Sequence, residues 1–573
     1  MSNVFAGHRA GVSRRRFVQG LAAGGALAGF GHRFAFTAPL SASMPVLAGT
    51  EFALSIGESP VNFTGRSRPA ITVNGSLPAP TLRWREGDTV TLRVSNALRD
   101  ARTSLHWHGL LLPANMDGVP GLSFDGIAPG ETYLYRFKVR QSGTYWYHSH
   151  SMFQEQAGLY GAIVIEPREP APYHFDREHV VLLSDWTDQD PAALFHRLKK
   201  NAGYDNYYKR TVGDFAADVR RDGWPKTLAD RKAWGRMRMT PTDLSDVNAN
   251  TYTYLVNGAA PAGNWTGLFA RGEKVLLRFI NGSAMTYFDV RIPGLRMTVV
   301  AADGQYIHPV TVDEFRIAVA ETFDVLVEPA GQDAYTIFAQ DNARTGFARG
   351  TLALRAGLAD AVPALDPRPI LTMDDMGHGG MDHGAMDHSG HDMPGMPMHA
   401  TTEAGNPLID MQAMMPAPKL ADPGIGLRGN GRAVLTYAAM RSIFEDPDGR
   451  EPGREIELHL TGHMEKFAWS FNGLKFMDAE PLRLRYGERL RIVLVNDTMM
   501  SHPIHLHGLW SDLEDEHGAF HLRKHTIDMP PGTRRSYRVR ADALGRWAYH
   551  CHLLYHMEAG MFREVRVEEG PTS

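Results

Sequence analysis

Three stretches of this chain repeat one pattern, and that repetition constrains the fold more than any other feature of the sequence. They read "ITVNGSLPAPTLRWREGDTVTLRVSN", "YLVNGAAPAGNWTGLFARGEKVLLRFIN" and "WSFNGLKFMDAEPLRLRYGERLRIVLVN", closing on Asn96, Asn281 and Asn496. Each opens with an Asn-Gly turn (Asn74-Gly75, Asn257-Gly258, Asn472-Gly473), passes Gly-Asp or Gly-Glu, and runs through alternating apolar residues to its final Asn. The interval from Gly87 to Asn96, Gly272 to Asn281 and Gly487 to Asn496 is nine residues each time, which suits one strand after a glycine turn. Asn-Gly ahead of alternating residues predicts a β-hairpin. A second block recurs in the same order, as "IAPGETYLYRFKV", "IAVAETFDVLVEP" and "IDMPPGTRRSYRVR". The chain is therefore expected to be all-β, three copies of one unit. Many short strands with Gly/Pro turns and no βα alternation predict sandwiches or barrels.

A chain of 573 residues has room for about three or four domains. The units are expected at 49–170, 171–360 and 431–573. Residues 186–250 look helical and loop-like and read as a decorating insertion in the second unit. Residues 361–430, rich in Pro, Gly, Met and His with little periodicity, read as a linker or mobile loop. At the N-terminus, "SRRRFVQGLAAGGALAGF" joins an arginine cluster to a glycine-broken apolar run too short to span a bilayer comfortably. It predicts a removable export signal over 1–48, with Val46-Leu47-Ala48 as one cleavage candidate. Arg14 and Arg15 after Ser13 resemble a twin-arginine signal, which places the mature protein in the periplasm without a stable membrane anchor. The net charge of −4 gives no reason to expect nucleic acid as a partner. A single cysteine, Cys551, excludes an internal disulfide and any Cys-pair zinc site.

The histidines do not follow the repeat evenly. The first unit carries "LHWHG" (His106, His108) and "WYHSH" (His148, His150). The third carries "HPIHLHG" (His502, His505, His507) and "YHCHLLYH" (His550, Cys551, His552, His556). The matching places in the middle unit, "NGSAMTYFDV" and "IFAQDNAR", have none, so that unit reads as a spacer. Strand alternation sends both imidazoles of a His-x-His pair to one face. Four such pairs supply eight imidazoles able to converge between two units, while Cys551, one residue out of phase, faces the other way with His502 and His556. One thiolate, two imidazoles and a weak methionine make a blue-copper electron-transfer set. Met561 is the natural axial ligand, with Met557 the weaker alternative. Eight imidazoles without carboxylate suit copper better than calcium, magnesium or structural zinc.

With these motifs the chain resembles the multicopper oxidases, whose pattern is His-x-His-Gly, His-x-His, His-x-x-His-x-His and His-Cys-His-x3-His-x4-Met. The stretches "MDGVPGLSFDGIAPGETYLYRFKVRQSGTYWYHSHSMFQEQAGLYGAIVIEP" and "DLEDEHGAFHLRKHTIDMPPG" are similar to the bacterial copper-resistance protein A branch, over almost the whole mature chain. The resemblance implies cupredoxin-like domains and four copper ions. By motif position, His502, Cys551 and His556 would hold the type 1 ion with Met561 axial. His106 and His505 would hold the type 2 ion. His108, His148, His150, His507, His550 and His552 would hold the type 3 pair. It also implies one-electron oxidation of a substrate coupled to four-electron reduction of O2 to water. Asp117 matches the family's acidic position near the cluster, and Glu558 is a second candidate proton donor.

The segment from Met373 to His399 holds seven methionines and five histidines: Met373, Met376, His378, Met381, His383, Met386, His388, His391, Met393, Met396, Met398 and His399. Thioethers prefer Cu(I), and imidazole takes either copper state. The segment is expected to collect accessory copper, making Cu(I) itself the substrate and copper resistance the role. Two other uses of such a centre are a laccase-like oxidase of small phenols and a copper-sequestering protein with incidental oxidase activity. Three units already bring both halves of the cluster into one chain, so a monomer suffices.

Overall fold

The computed structural model describes residues 44–378 and 399–570. The strongest part of the export signal and the segment 379–398, with Met381, His383, Met386, His388, His391, Met393, Met396 and Met398, lie outside the described residues. What is described forms three two-sheet sandwiches, over 46–166, 177–353 and 455–568. The first pairs a four-stranded with a five-stranded sheet, and the other two each pair a six-stranded with a five-stranded sheet. The same pairings recur: Glu51–Val61 lies parallel to Thr89–Asn96, Arg177–Trp186 to Val275–Asn281, and Glu455–His463 to Arg489–Asn496. Leu, Val, Ile and aromatic side chains from the inner faces fill one continuous core, as alternation in a half-buried sheet requires.

The Asn-Gly turns form as expected, but not as hairpins. Asn74, Asn257 and Asn472 sit at φ 52°, 50° and 51°, each followed by a glycine at φ 72–76°, the left-handed pair that the tightest turns need. The strands on either side, however, belong to different sheets: Arg68–Val73 and Ala79–Arg85, Thr253–Val256 and Trp265–Leu268, Ala468–Phe471 and Leu482–Arg485. Each turn hands the chain across the sandwich. The turn Asn side chain fixes that crossing. Asn74 Oδ1 accepts from Ser55 N, Asn257 Oδ1 from Leu182 N and Asn472 Oδ1 from His459 N, each at 2.7 Å.

The strand-closing asparagines are equally regular, and all three are buried. Asn96 Nδ2 donates to the carbonyls of Ala101 and Ile127, Asn281 Nδ2 to Thr286 and Ile317, and Asn496 Nδ2 to Met500 and Met529. Each also accepts from the backbone N–H two residues on, at Leu98, Ser283 and Thr498. One side chain thus ties down the loop that, in the first and third copies, leads to the histidines.

Three expectations need correction. Val46-Leu47-Ala48 is an edge strand, paired parallel with Thr81, Leu82 and Arg83, so cleavage after Ala48 would remove part of a sheet. The insertion at 186–250 holds three helices, Pro191–Lys200, Val212–Asp222 and Trp224–Arg236, but its last loop enters the interior, where Asp246 is buried. The described parts of 361–430 have no strand, yet Leu371, Met376, Met411, Ala413, Leu420 and Leu427 are buried and Lys419 Nζ bonds the carbonyls of Asp375 and Pro531. Those described parts are packed rather than loose.

Candidate metal centre

Strand pairing assembles the histidines. In the first sandwich His106 faces His148 across the ladder and His108 faces Trp146, with His150 just beyond the strand end. In the third, Ile504 faces Cys551 and His505 faces His550. Parity then separates two groups. His502 and Ile504 share the face of Cys551, whereas His505 and His507 share the face of His550. The donor atoms of His106, His108 and His505 lie within 4.8 Å of one another, as do those of His108, His148 and His552, and those of His150, His507 and His550. His502, Cys551 and His556 form a separate group of the same tightness.

Around the eight imidazoles, one ring nitrogen after another is held by oxygen while the other is left facing its neighbours. His106 Nδ1 donates to Asp117 O at 2.8 Å, His505 Nδ1 to His525 O at 2.6 Å, and His550 Nδ1 to Cys551 O at 2.9 Å. His148 Nδ1 meets Glu155 Oε2 at 2.6 Å, and His507 Nδ1 meets Asp117 Oδ2 at 2.8 Å. The opposite atoms, Nε2 of His106, His148 and His505, are buried without a partner, as is Nε2 of His150. His108 is turned the other way, with Nε2 3.2 Å from His525 Nδ1 and Nδ1 left bare. Both ring nitrogens of His552 are bare and buried. Oxygen on one nitrogen fixes the tautomer that presents a lone pair at the other, the arrangement metal-bound imidazoles use.

Burial, and the crowding of like groups, hold His108, His148, His150, His505, His507 and His552 well below the ordinary imidazole range, and burial pushes His550 down to about 4. They stay neutral at working pH, as ligands must. Inward-facing imidazole nitrogens in three triads, bare or facing one another, fit metal ions.

The Cys551 group fits one ion of softer taste. His502 Nδ1 lies 3.4 Å and His556 Nδ1 3.9 Å from Cys551 Sγ, and the two Nδ1 atoms are 3.1 Å apart. Such edges suit donors each about 2.0–2.3 Å from a shared ion. His502 Nε2 bonds Thr498 Oγ1 at 2.8 Å and His556 Nε2 bonds Asp246 Oδ2 at 2.7 Å, so both rings direct Nδ1 at the sulfur. Burial pushes the thiol up, and only a bound cation would make it a thiolate here. Trp469 stacks on His556 at 4.0 Å between centroids. Met561 is fully buried, with its backbone bonded to Cys551 N and His556 O; Met557, on the short helix Leu554–Glu558, is half-buried.

Asp117 is brought to the cluster, bridging His106 and His507. Glu558 is not: it is half-buried and forms no hydrogen bond or ion pair with the imidazoles. The structure instead adds residues that carry no motif. Glu155 meets His148, and Asp246 meets His556. His525 touches His108 and, through its carbonyl, His505. The middle sandwich is more than a spacer. Its Asp303 Oδ2 accepts from the backbone N–H of His525 and Thr526 and pairs with the buried Lys524. Of the accessory set, Met373, Met376, His378 and His399 are described; Met376 is fully buried, and His399 Nδ1 lies 2.9 Å from Glu403 Oε2.

Multicopper oxidase family models match residues 55–170, 177–355 and 449–571. The chain belongs to the multicopper oxidase family and is an oxidoreductase of that class. It is 65% identical to copper resistance protein A of Pseudomonas syringae pv. tomato and 64% identical to that of Escherichia coli, over 97% of this chain and 99% of each relative. Among solved structures it shares the fold of Fet3p, a multicopper oxidase that functions in iron import (TM-score 0.64, 20% identity, 91% of each chain). The laccase of Botrytis aclada is similar in fold (TM-score 0.60, 20% identity, 92% of this chain and 89% of that one).

Proposed function

We propose that this enzyme oxidises Cu(I) to Cu(II) at the expense of O2, outside the cytoplasm, in the service of copper resistance. The carrying observation is the cavity beside the Cys551 group. It is lined by Asp246, Met285, Met500, Tyr287 and Leu553 and holds about 10 Å³, room for about one water. A bulky aromatic reductant does not enter such a space. A bare monovalent ion does, and two thioethers with one carboxylate are donors that suit it. Asp246 spans the cavity and His556, so the site of entry touches a ligand of the Cys551 group.

Four copper ions held by these two groups would supply one-electron storage and four-electron reduction of O2, with type 1 at His502, Cys551, His556 and Met561, type 2 at His106 and His505, and type 3 at His108, His148 and His552 with His150, His507 and His550. The remaining chemistry belongs to the chain. Cys551 is joined by peptide bonds to both His550 and His552, which gives a bonded route between the two groups. Asp117, bridging His106 and His507, stands where a proton can pass to the cluster. The name of the relatives supports the copper role. The arginine-rich leader supports export, and no helix among the described residues is long and apolar enough to cross a membrane.

The test is deletion of residues 379–398, which spares the packed Met376 and His399. Cuprous oxidation should lose apparent affinity for copper while its rate at saturating copper and the thiolate absorption of the Cys551 group stay unchanged. Unchanged cuprous kinetics in the folded deletion would sink the copper-collecting role.

A further inference from the structure

Outside the centre described above, two imidazoles and two carboxylates meet in a second buried cluster. His399, Glu403, His459 and Asp497 place one donor atom each within 4.8 Å of all the others. His399 Nδ1 lies 2.9 Å from Glu403 Oε2 and 3.7 Å from Asp497 Oδ2, and His459 Nδ1 lies 2.6 Å from Asp497 Oδ2. The two rings are 4.6 Å apart. Glu403, His459 and Asp497 are buried, and His399 keeps a quarter of its side chain exposed, which leaves one way in.

The cluster is built, not incidental. Gln412 Nε2 donates to Glu403 Oε2 at 3.0 Å and Ala413 N to Asp497 Oδ1 at 2.7 Å, which hold both carboxylates in place. His459 Nε2 faces Glu457 Oε1 at 3.3 Å and its Nδ1 meets Asp497 Oδ2 at 2.6 Å. Against burial, the carboxylates raise the ring to about 10, so an ion taken up at Nδ1 displaces the ring proton while Glu457 keeps the ring oriented. Glu403 Oε1 is buried with no hydrogen-bond partner. A buried carboxylate oxygen left bare is destabilising, and a cation in the cluster would use it.

We propose that His399, Glu403, His459 and Asp497 form a separate Cu(II) site. Two imidazoles and two carboxylates make a borderline-to-hard donor set without sulfur, which suits a divalent ion and disfavours Cu(I). Among divalent ions Cu(II) binds such N/O donors most tightly. The position adds a reason. His399 is the last residue of the methionine-rich segment, and Asp497 precedes Thr498, whose hydroxyl holds His502. Resting on the proposed cuprous oxidation, the site takes the oxidised product beside the group that generates it. Soft sulfur collects the substrate, and nitrogen and oxygen retain the product.

The test uses full-length protein already loaded at its four resident copper positions, titrated with Cu(II) and read by spin resonance and equilibrium dialysis. Wild type should bind a further equivalent with nitrogen hyperfine structure from two imidazoles. Glu403→Gln and Asp497→Asn should each weaken that equivalent by roughly tenfold or more, while the thiolate absorption of the Cys551 group reports an intact fold. The same titration on Cys551→Ser, which cannot oxidise Cu(I), should show the site unchanged, so loss of the proposed activity and loss of the site are told apart. Equal Cu(II) affinity in wild type and Glu403→Gln, or preference for Zn(II) over Cu(II), would overturn the assignment.

Discussion

Replacing Asp246 by Asn weakens the hydrogen bond that orients His556 and removes the carboxylate lining the entry cavity. The carboxylate accepts from His556 Nε2 at 2.7 Å, and both side chains are buried. Asn keeps the size and one acceptor oxygen but loses the charge. A hydrogen bond to a charged group contributes about 1.5–3 kcal/mol and a neutral one about 0.5–1.5 kcal/mol. The difference, about 1–1.5 kcal/mol, is roughly a tenfold change in an equilibrium constant. Asp246→Ala goes further, because it leaves the His556 N–H buried and unpaired. That adds about 1–3 kcal/mol. Two readouts follow. Copper at Cys551 should be lost to a chelator at roughly tenfold lower concentration in Asp246→Asn, followed by the thiolate absorption, and Asp246→Ala should be weaker still. Cuprous oxidation should fall at least as much, because Asp246 also lines the entry cavity. If Asp246→Asn kept both quantities within twofold, the ring of His556 would be held by Trp469 and its helix alone, and the carboxylate would have no part in the site.

Other expectations follow from single contacts. Gly118 has φ +83°, and a Cβ there would lie 1.8 Å from the Leu105 carbonyl oxygen; Gly118→Ala should displace Asp117 and cut oxygen uptake, while the thiolate absorption of the Cys551 group stays. Asn281→Ala removes three buried hydrogen bonds in the sandwich without histidine sites. It should cost about 2–4 kcal/mol in denaturant unfolding with copper content unchanged. Burial, with the Asp246 charge nearby, raises Asp243 to about 8. The folded state therefore holds that proton more tightly than the unfolded chain, so stability declines as pH rises from about 4 through 8. Asp243→Asn should flatten that part of the melting-temperature profile, and an unchanged slope would remove Asp243 as its source.

Where the sequence was legible, the physics was local. The Asn-Gly turns, the strands that close on Asn96, Asn281 and Asn496, and the His-x-His parity each depend on a few consecutive residues, and each appears in the structure. The sheet change at those turns did not show, because pairing partners such as Glu51–Val61 and Thr89–Asn96 are set by distant chain. The same limit hid Asp246, 310 residues from His556, and Glu155, which reads as an ordinary polar residue in "FQEQAG". Asp303 and His525 were hidden because they act across two sandwiches. Glu558 follows the last histidine of the motif by two residues on the same short helix, yet no hydrogen bond or ion pair joins it to an imidazole.

The asparagine closing each repeat explains how the middle sandwich holds the same fold without histidine at these places. Asn496 Nδ2 bonds the carbonyls of Met500 and Met529, and Met529 pairs with His502 in the ladder. The side chain therefore clamps the start of the strand His502–Leu506 to its neighbour Thr526–Met529. That clamp sets which face each residue of the strand takes. A slip of one residue would exchange the faces, sending His502 toward the eight imidazoles and His505 and His507 toward Cys551. In the middle copy Asn281 makes the same bonds to Thr286 and Ile317, and Ile317 pairs with Phe288. The register is the same there, but Phe288 and Val290 occupy the buried strand. Clamp and ligands are thus separate layers of the sequence: the repeat fixes register in all three sandwiches, and histidines in two of them turn that register into two metal groups joined at Cys551.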